Sequence, residues 1–272
     1  MAQQTLLVGC GKMGGAMLQG WVERGADPDA ITIVEPMREA AEQARNQFGV
    51  KAVGDGSELA DGYNPEIVIF AVKPQGLDGI APVYRRFAGA ETVFMSIAAG
   101  KPIRFFEHAL GEAAAIVRCM PNTPAAVQRG ITAACANGPV SDAQRALCQG
   151  LLEAVGEVVW VDDEALLDPV TALSGSGPAY VFLMIECMAE AGVAAGLPAD
   201  IAARLARATV AGSGELARRS DESAGQLRRN VTSPGGTTAA ALGVLMADED
   251  GLQQLMTRTL DAATRRSREL AG

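Results

Sequence analysis

Three closely spaced glycines near the start of the chain have the spacing of a nucleotide-binding turn. Gly9, Gly11 and Gly14 follow the apolar run 6–8 and lead directly into a helical pattern of apolar residues. In a strand–turn–helix setting the first glycine permits a tight turn, the second lets the backbone approach a pyrophosphate, and the third lets the helix pack against the strand. N–H groups at the start of that helix attract phosphate. The pattern predicts a dinucleotide site, although a plain strand-to-helix turn would have the same glycines.

An acidic residue stands where a dinucleotide site needs a partner for the ribose. Glu35 ends the β-branched run 30–34, about 20 positions after the glycines, at the predicted tip of the second strand. A carboxylate there accepts a hydrogen bond from the ribose 2′-hydroxyl and repels a 2′-phosphate, which favours NADH over NADPH. Arg38 lies near enough to offer a phosphate contact instead. The alternative is that Glu35 is a solvated strand end.

A second glycine-rich stretch, Ser-Pro-Gly-Gly at residues 233–236, has the composition of a carboxylate receptor. It removes side-chain bulk from the backbone just before a predicted helix. The first-turn N–H groups and the dipole of such a helix attract a small carboxylate. Thr237 and Thr238 add hydroxyls within reach of a ligand, unless Thr237 merely caps the helix. A similar glycine-rich turn at 171–177 leads into another helix.

The elements that must hold the first of these turns alternate between strand and helix. Apolar or β-branched runs predict strands at 6–8, 30–34, 50–53, 66–72, 92–97, 114–119, 131–136 and 157–161, and those at 30–34, 66–72 and 92–97 have the continuous apolar pattern of buried strands of a parallel sheet. Ser141 predicts the N-cap of a helix over 141–155. Ligands bind beyond the carboxyl ends of such strands, which places Ala71–Pro74 and Ala98 at the site. Lys73 is equally consistent with a solvated strand end, and Ala98 with ordinary turn chemistry.

From Glu164 onward the periodicity is helical almost throughout. The predicted fold is therefore α/β, with an amino-terminal Rossmann-type doubly wound sheet over residues 1–163 and an all-α carboxyl-terminal domain over 164–272. The stretch 178–191 is apolar nearly all round, which predicts a central, buried helix. A helical domain with this much apolar surface is expected to bury the surplus against a second copy, giving a homo-oligomer.

The composition is that of an ordinary globular protein. Of the 272 residues, 49% are hydrophobic and 20% charged, and the net charge of −9 argues against nucleic acid or an anionic membrane surface as a partner. Five cysteines without a Cys-x-x-Cys pair predict reduced thiols, a cytoplasmic location and no metal site. The first five residues carry no positive charge, which predicts that no signal peptide is present. The longest later apolar run, 181–185, is too short to span a bilayer.

Six strings spread over the whole chain together resemble pyrroline-5-carboxylate reductase. They are, in chain order, Gly9–Gly14, Ala71–Gln75, Ser96–Gly100, Arg118–Pro124, Ser174–Tyr180 and Thr232–Thr238. The resemblance implies the last step of proline synthesis, in which hydride from NADPH or NADH reduces the C=N bond of 1-pyrroline-5-carboxylate to give L-proline. It also implies a Rossmann domain followed by a helical domain that makes an intertwined dimer, with larger rings in some members.

The same resemblance implies which residues meet the ligands. Those along the cofactor are Val8, Gly9, Cys10, Gly11, Lys12, Met13, Gly14, Glu35, Ala71, Val72, Lys73, Pro74, Ala98 and Asn230. Those at the substrate are Glu164, Ser233, Pro234, Gly235, Gly236, Thr237 and Thr238. Thr238 is expected to hydrogen-bond the ring nitrogen and to set which face of the ring is attacked. Ser174 and Ser176 lie on the matching turn as candidate proton donors.

The implied chemistry agrees with the shortage of histidine. A protonated imine needs no proton during hydride transfer, so His108, the one histidine in the sequence, is expected on a helix surface rather than at the site. Two other functions remain open. A β-hydroxyacid dehydrogenase has the same order of domains but uses a lysine of the second domain, and this chain has no lysine after Lys101. The other is a dinucleotide-binding regulatory protein without turnover.

Overall fold

A computed structural model describes residues 4–271, and its first part is built on one eight-stranded sheet. The strands are Thr5–Val8 (β1), Ile31–Val34 (β2), Lys51–Val53 (β3), Ile67–Phe70 (β4), Val93–Ser96 (β5), Ala115–Met120 (β6), Gly130–Ala136 (β7) and Gly156–Trp160 (β8). Their order is β3-β2-β1-β4-β5-β6-β7-β8. The first six run parallel, β7 is antiparallel to β6, and β8 is parallel to β7. This order confirms the predicted doubly wound fold.

The helices in the described part of the chain complete the first unit and form the second. They are Lys12–Glu23 (α1), Arg38–Phe48 (α2), Leu77–Ile80 (α3), Ile103–Leu110 (α4), Asp142–Glu153 (α5), Leu167–Val170 (α6), Gly177–Ala194 (α7), Ala199–Arg219 (α8), Ala224–Asn230 (α9), Thr237–Leu245 (α10) and Leu252–Ala271 (α11). Ser141 caps α5 as predicted, because its hydroxyl accepts from the Gln144 N–H and the Gln144 side chain reaches back to the Ser141 N–H.

Each face of the sheet is covered by helices, which is why the central strands are apolar on both sides. All four residues of β1, β2, β4 and β5 are buried. One core contains Trp21 of α1 and Leu152 of α5. The other contains Leu77 of α3, Phe106 of α4 and Leu167 of α6. This double cover leaves the carboxyl ends of the strands as the edge where a ligand can reach the backbone.

Contacts divide the chain into two compact units. One contains the residues up to Gly175 together with those from Thr264, and the other is Ser176–Ala263. The stretch 164–175 thus packs with the sheet, through Leu167 and the buried Ala172. The domain boundary predicted after residue 163 stays a prediction.

The second unit consists of helices whose apolar side chains are largely uncovered in a single chain. Helix α7 packs against α8, where a side chain at Gly192 would lie 3.2 Å from the Ala202 Cβ atom. Yet Phe182 is 60% exposed and Leu183 is 58% exposed. The prediction that 178–191 forms a central, buried helix is therefore wrong for one chain. The residues are as apolar as a buried helix requires, but no other part of the described chain covers them.

The described structure bears on two further predictions, one about membrane-spanning segments and one about a signal peptide. The helical stretch Glu164–Ala194 contains an 18-residue window with a mean hydropathy of 1.2 and is long and apolar enough to cross a membrane by length and composition alone. The prediction that the longest later apolar run is too short to span a bilayer therefore does not hold for this helical stretch by those two criteria. The expectation that the chain starts without a signal peptide concerns, in part, Met1–Gln3, which lie outside the described residues.

Candidate active site

The glycine turn between β1 and α1 has the geometry of a pyrophosphate cradle. Gly9 has a φ of +93°, which favours glycine, and a side chain there would come within 2.9 Å of the Ala71 carbonyl oxygen. A Cβ atom at Gly14 would overlap the Gly9 carbonyl oxygen, so the helix packs directly on the turn. At Gly11 the space is open, with no atom within 4 Å of the position of a Cβ. Gly11 is also the N-cap of α1 without a side-chain cap, which leaves first-turn N–H groups available to phosphate.

Glu35 lies beside this glycine turn and links it through hydrogen bonds to the turn that follows β2. Its Oε2 accepts the Cys10 backbone N–H at 2.8 Å, and its Oε1 accepts the Met37 N–H at 3.0 Å. The residue is only 8% exposed, so its charge is held at a fixed place. Burial and the Glu35 carboxylate raise the pKa of the Cys10 thiol to about 11. Arg38, in contrast, pairs with Glu42 on the exposed face of α2 at 2.7 Å.

The other residues predicted along the cofactor follow neighbouring parallel strands. Ala71 continues from β4, and its N–H donates to the Val8 carbonyl at 2.8 Å. Ala71 and Val72 are half-buried, Lys73 is exposed, and Pro74 begins the short 3₁₀ helix 74–76. Ala98 follows β5 and is 4% exposed. The remaining members of the glycine turn lie at the same edge, with Lys12 exposed and Met13 half-buried at the start of α1.

Glu164 is part of an ion pair that reasoning from the sequence did not predict. Its Oε1 accepts from Arg118 Nη1 at 2.7 Å and from the Ile103 N–H at the start of α4 at 2.8 Å. Arg118 is 6% exposed on β6, and Glu164 keeps 29% of its side chain exposed. A charged residue inside the apolar strand Ala-Ile-Val-Arg-Cys-Met was the available signal for this pair. Two donors therefore already orient the carboxylate of Glu164, the residue predicted to contact the substrate.

Asn122, also not singled out from the sequence, contacts one of the candidate serines. Its Oδ1 accepts the Ile131 N–H at 2.9 Å, and its Nδ2 donates to Ser174 Oγ at 3.3 Å. Ser174 lies in a π-helical turn, Thr171–Gly175, where the Thr171 hydroxyl donates to the Leu167 carbonyl at 2.7 Å. The signal was the Pro-Asn-Thr-Pro string, since an asparagine in a rigid loop between strands has a fixed side chain. Ser176 is the N-cap residue of α7 and makes no side-chain cap bond.

In the second unit, the stretch 233–236 forms the open start of α10. Gly236 is the N-cap residue and no side chain caps the helix, so the alternative in which Thr237 is the cap is wrong. Gly235 has a φ of +71°, and the Gly236 N–H donates to the Ser233 carbonyl at 3.0 Å. Ser233, Pro234 and Thr237 are exposed, and Thr238 is half-buried. Uncapped N–H groups on a nine-residue helix suit a carboxylate.

Asn230, predicted along the cofactor, is exposed at the end of α9. Its Nδ2 donates to Glu222 Oε2 at 2.9 Å, and its Oδ1 accepts from Gln226 Nε2 at 2.7 Å. The exposed His108 lies on α4, as expected for a surface histidine. No group of three or more residues able to hold a metal ion is present within residues 4–271.

Comparison with known proteins identifies the family. Residues 164–270 match the family described as pyrroline-5-carboxylate reductase dimerisation, and residues 5–100 match NADP oxidoreductase, coenzyme F420-dependent. The pyrroline-5-carboxylate reductase of Pseudomonas aeruginosa is 38% identical over 97% of this chain and 95% of its own length. The chain belongs to the pyrroline-5-carboxylate reductase family. The resemblance found in the sequence is confirmed.

Solved structures of the family agree with this assignment. A pyrroline-5-carboxylate reductase from Coxiella burnetii is 34% identical, with a TM-score of 0.94 over 100% of both chains. The pyrroline carboxylate reductase of Plasmodium falciparum, solved with NADP bound, is 27% identical, with a TM-score of 0.82 over 99% of this chain and 98% of that one. Neither the β-hydroxyacid dehydrogenase nor the regulatory protein considered from the sequence is favoured by these relatives.

Proposed function

We infer that the protein catalyses the reduction of 1-pyrroline-5-carboxylate to L-proline with NADH or NADPH. The observation that carries this proposal is 38% identity over 97% of the chain with a reductase of that name, and the two glycine-rich turns that lead into helices without a side-chain cap support it. An open Gly11 backbone beside an uncapped helix start fits a pyrophosphate. The uncapped start of α10 suits a carboxylate, which favours a reductase of an imino acid over a protein that only binds a dinucleotide.

Each part of the substrate has a matching group in the chain. We place the carboxylate at the backbone N–H groups of Ser233, Gly235 and the uncapped first turn of α10, and the ring nitrogen at the Thr238 hydroxyl. Glu164 offers a carboxylate to the cationic iminium, and Arg118 orients that carboxylate through the ion pair at 2.7 Å. Ser174 and Ser176 remain candidate donors on their turn. These assignments account for every polar group of a small cyclic imino acid.

The reaction requires little acid–base catalysis from the protein. When bound, the reduced nicotinamide supplies the hydride that adds to the C=N carbon. The chain's own residues hold the imine, orient it through the Thr238 hydroxyl and exclude water. Because the iminium already carries its proton, no residue must deliver one during hydride transfer, which agrees with an active site that needs no histidine.

A direct assay tests the proposal. Purified protein, 1-pyrroline-5-carboxylate and NADH are mixed, and loss of nicotinamide absorbance is followed together with formation of proline by amino-acid analysis. We expect equal amounts of NADH consumed and proline formed. Thr238→Ala is the matched variant, because it removes one hydroxyl and leaves the nucleotide turn intact. Binding of NADH without proline formation would refute the proposed activity.

We also propose a homodimer formed by the helices of residues 176–263, located in the cytoplasm. The uncovered apolar residues of α7 support this assembly, because a second copy of the same chain would bury them. The match of residues 164–270 to a dimerisation family supports it as well. Light scattering is expected to give at least twice the mass of 28.1 kDa. A monomer at micromolar concentration would exclude this assembly.

A further inference from the structure

The side-chain amide of Asn122 has a fixed orientation. The Ile131 N–H can only donate, so the oxygen of the amide must face it, at 2.9 Å. The nitrogen therefore faces Ser174 Oγ, at 3.3 Å, and acts as the donor. Asn122 thus ties the loop after β6 both to β7 and to the π-helical turn Thr171–Gly175.

This arrangement decides what the Ser174 hydroxyl can do. A hydroxyl oxygen has two acceptor sites and one hydrogen. Because Ser174 Oγ accepts from Asn122, its own hydrogen is free to be donated elsewhere. Among residues 4–271 the structure shows no acceptor for that hydrogen. The half-buried Ser174 therefore presents a hydroxyl donor with no acceptor among the described residues.

The place of Ser174 identifies the part of a ligand it would meet. Met120, the last residue of β6, packs against Gly175, so the turn lies at the carboxyl end of that strand. β6 runs parallel to β5, and their carboxyl ends lie at the same edge as the glycine turn after β1. With the pyrophosphate at β1, the ring end of a dinucleotide extends along this edge toward β5 and β6.

We propose that Ser174 donates its hydroxyl hydrogen to the carboxamide oxygen of bound nicotinamide, and that Asn122 is the positioning residue that keeps this hydrogen free. The inference rests on the proposed function. Among the acceptors which that reaction brings, the iminium nitrogen has no lone pair, and the substrate carboxylate is assigned to residues 233–236 and the first turn of α10. The carboxamide oxygen is the acceptor on the nicotinamide ring itself, and the ring end of the cofactor is the part that reaches the carboxyl end of β6, where the Ser174 turn lies. A fixed carboxamide would hold the nicotinamide ring in one orientation.

Binding of two ligands to the full-length protein tests this without turnover. Calorimetric titration compares NADH with ADP-ribose, which has the same pyrophosphate and adenosine but no nicotinamide. Ser174→Ala removes the donor, and Ser174→Thr retains a hydroxyl. Asn122→Asp still accepts from the Ile131 N–H, but its second oxygen can only accept, so it captures the Ser174 hydrogen. Asn46→Asp, an exposed position on α2, is the control for the added charge.

We expect Ser174→Ala and Asn122→Asp each to raise the Kd for NADH about fivefold, the size of one lost hydrogen bond. The Kd for ADP-ribose should change by less than about twofold. The double variant should lose no more than either single one, because both remove the same hydrogen bond. Ser174→Thr and Asn46→Asp should bind NADH like the wild type.

Three results would overturn the inference. They are an unchanged Kd for NADH in Ser174→Ala, equal losses for NADH and ADP-ribose, and additive losses in the double variant. Failure of the proposed function gives a different result, since NADH would then not bind the wild type or would bind without proline being formed. Normal NADH binding by the wild type, undiminished in the variants, would refute only the role of Ser174 and Asn122.

Discussion

Replacing Glu35 by glutamine should change which cofactor the enzyme prefers. The carboxylate is held by the N–H groups of Cys10 and Met37 at 2.8 Å and 3.0 Å, so it cannot turn away from a 2′-phosphate. Glutamine has the same shape without the charge. It keeps one oxygen, so one of the two N–H partners is lost, at a cost of about 1–3 kcal/mol in stability.

The size of the effect follows from Coulomb's law. A carboxylate and a 2′-phosphate with about two negative charges, about 5 Å apart in water, repel each other by about 1.7 kcal/mol. That energy corresponds to a factor of about fifteen in kcat/KM. Since Glu35 is only 8% exposed, water screens its charge incompletely and the factor is a lower limit. We therefore expect the wild type to use NADH at least as well as NADPH.

The assay is kcat/KM for 1-pyrroline-5-carboxylate reduction with each cofactor, in wild type and Glu35→Gln. The ratio of kcat/KM with NADPH to that with NADH should rise at least about fifteenfold in the variant. A loss of stability affects both cofactors alike and cancels in this ratio. Glu157→Gln, an exposed residue on β8 at the far edge of the sheet, makes the same charge change away from the cofactor and should leave the ratio unchanged. A wild-type preference for NADPH of about a hundredfold or more would refute the reasoning.

Three further predictions concern the glycine turn and the substrate. Gly11→Ala should keep the wild-type Tm, because its Cβ meets no other part of the protein, but it should weaken NADH binding at least about tenfold, because that Cβ fills the open space beside the turn. Gly14→Ala should lower the Tm, because its Cβ overlaps the Gly9 carbonyl. Equal Tm values would contradict this. Thr238→Ala should lower kcat/KM for the imine about tenfold while the Kd for NADH stays unchanged. With a pKa of about 11, Cys10 should be alkylated by iodoacetamide with a rate that still rises above about pH 9. A plateau below that pH in peptide mapping would show that burial and Glu35 do not raise its pKa.

The Rossmann half was predictable because its signals are local. Apolar runs long enough for buried strands, glycines at a strand end and a capping box at Ser141 each act within a few residues. The strands of the sheet unit and the helix predicted over 141–155 therefore lie within a few residues of their predicted bounds, although the reversed direction of β7 was not predicted. The position of Glu35 beside the glycine turn follows from the same topology, since β1 and β2 are neighbouring parallel strands.

Features that depend on distant parts of the chain were not predictable. Arg118 meets Glu164 and Asn122 meets Ser174 only after the sheet has formed, and no local pattern fixes those partners. The apolar residues of α7 indicated that this helix must be covered, but they did not indicate by what. Periodicity does not say whether the covering residues come from the same chain or from another copy. The ligand contacts of the second glycine-rich stretch remain predictions.

The reversed direction of β7 limits how this enzyme can be redesigned. Residues 121–129 turn the chain back at one edge of the sheet instead of carrying it across a face through a helix. This connection is held in place, since it joins adjacent strands and the Asn122 side chain accepts the Ile131 N–H. Insertions there would displace the Ser174 turn, whereas the exposed residues 138–139, between Asn137 and the N-cap residue Ser141, lie at the opposite end of β7. Engineered loops for new imine substrates therefore belong at other strand ends.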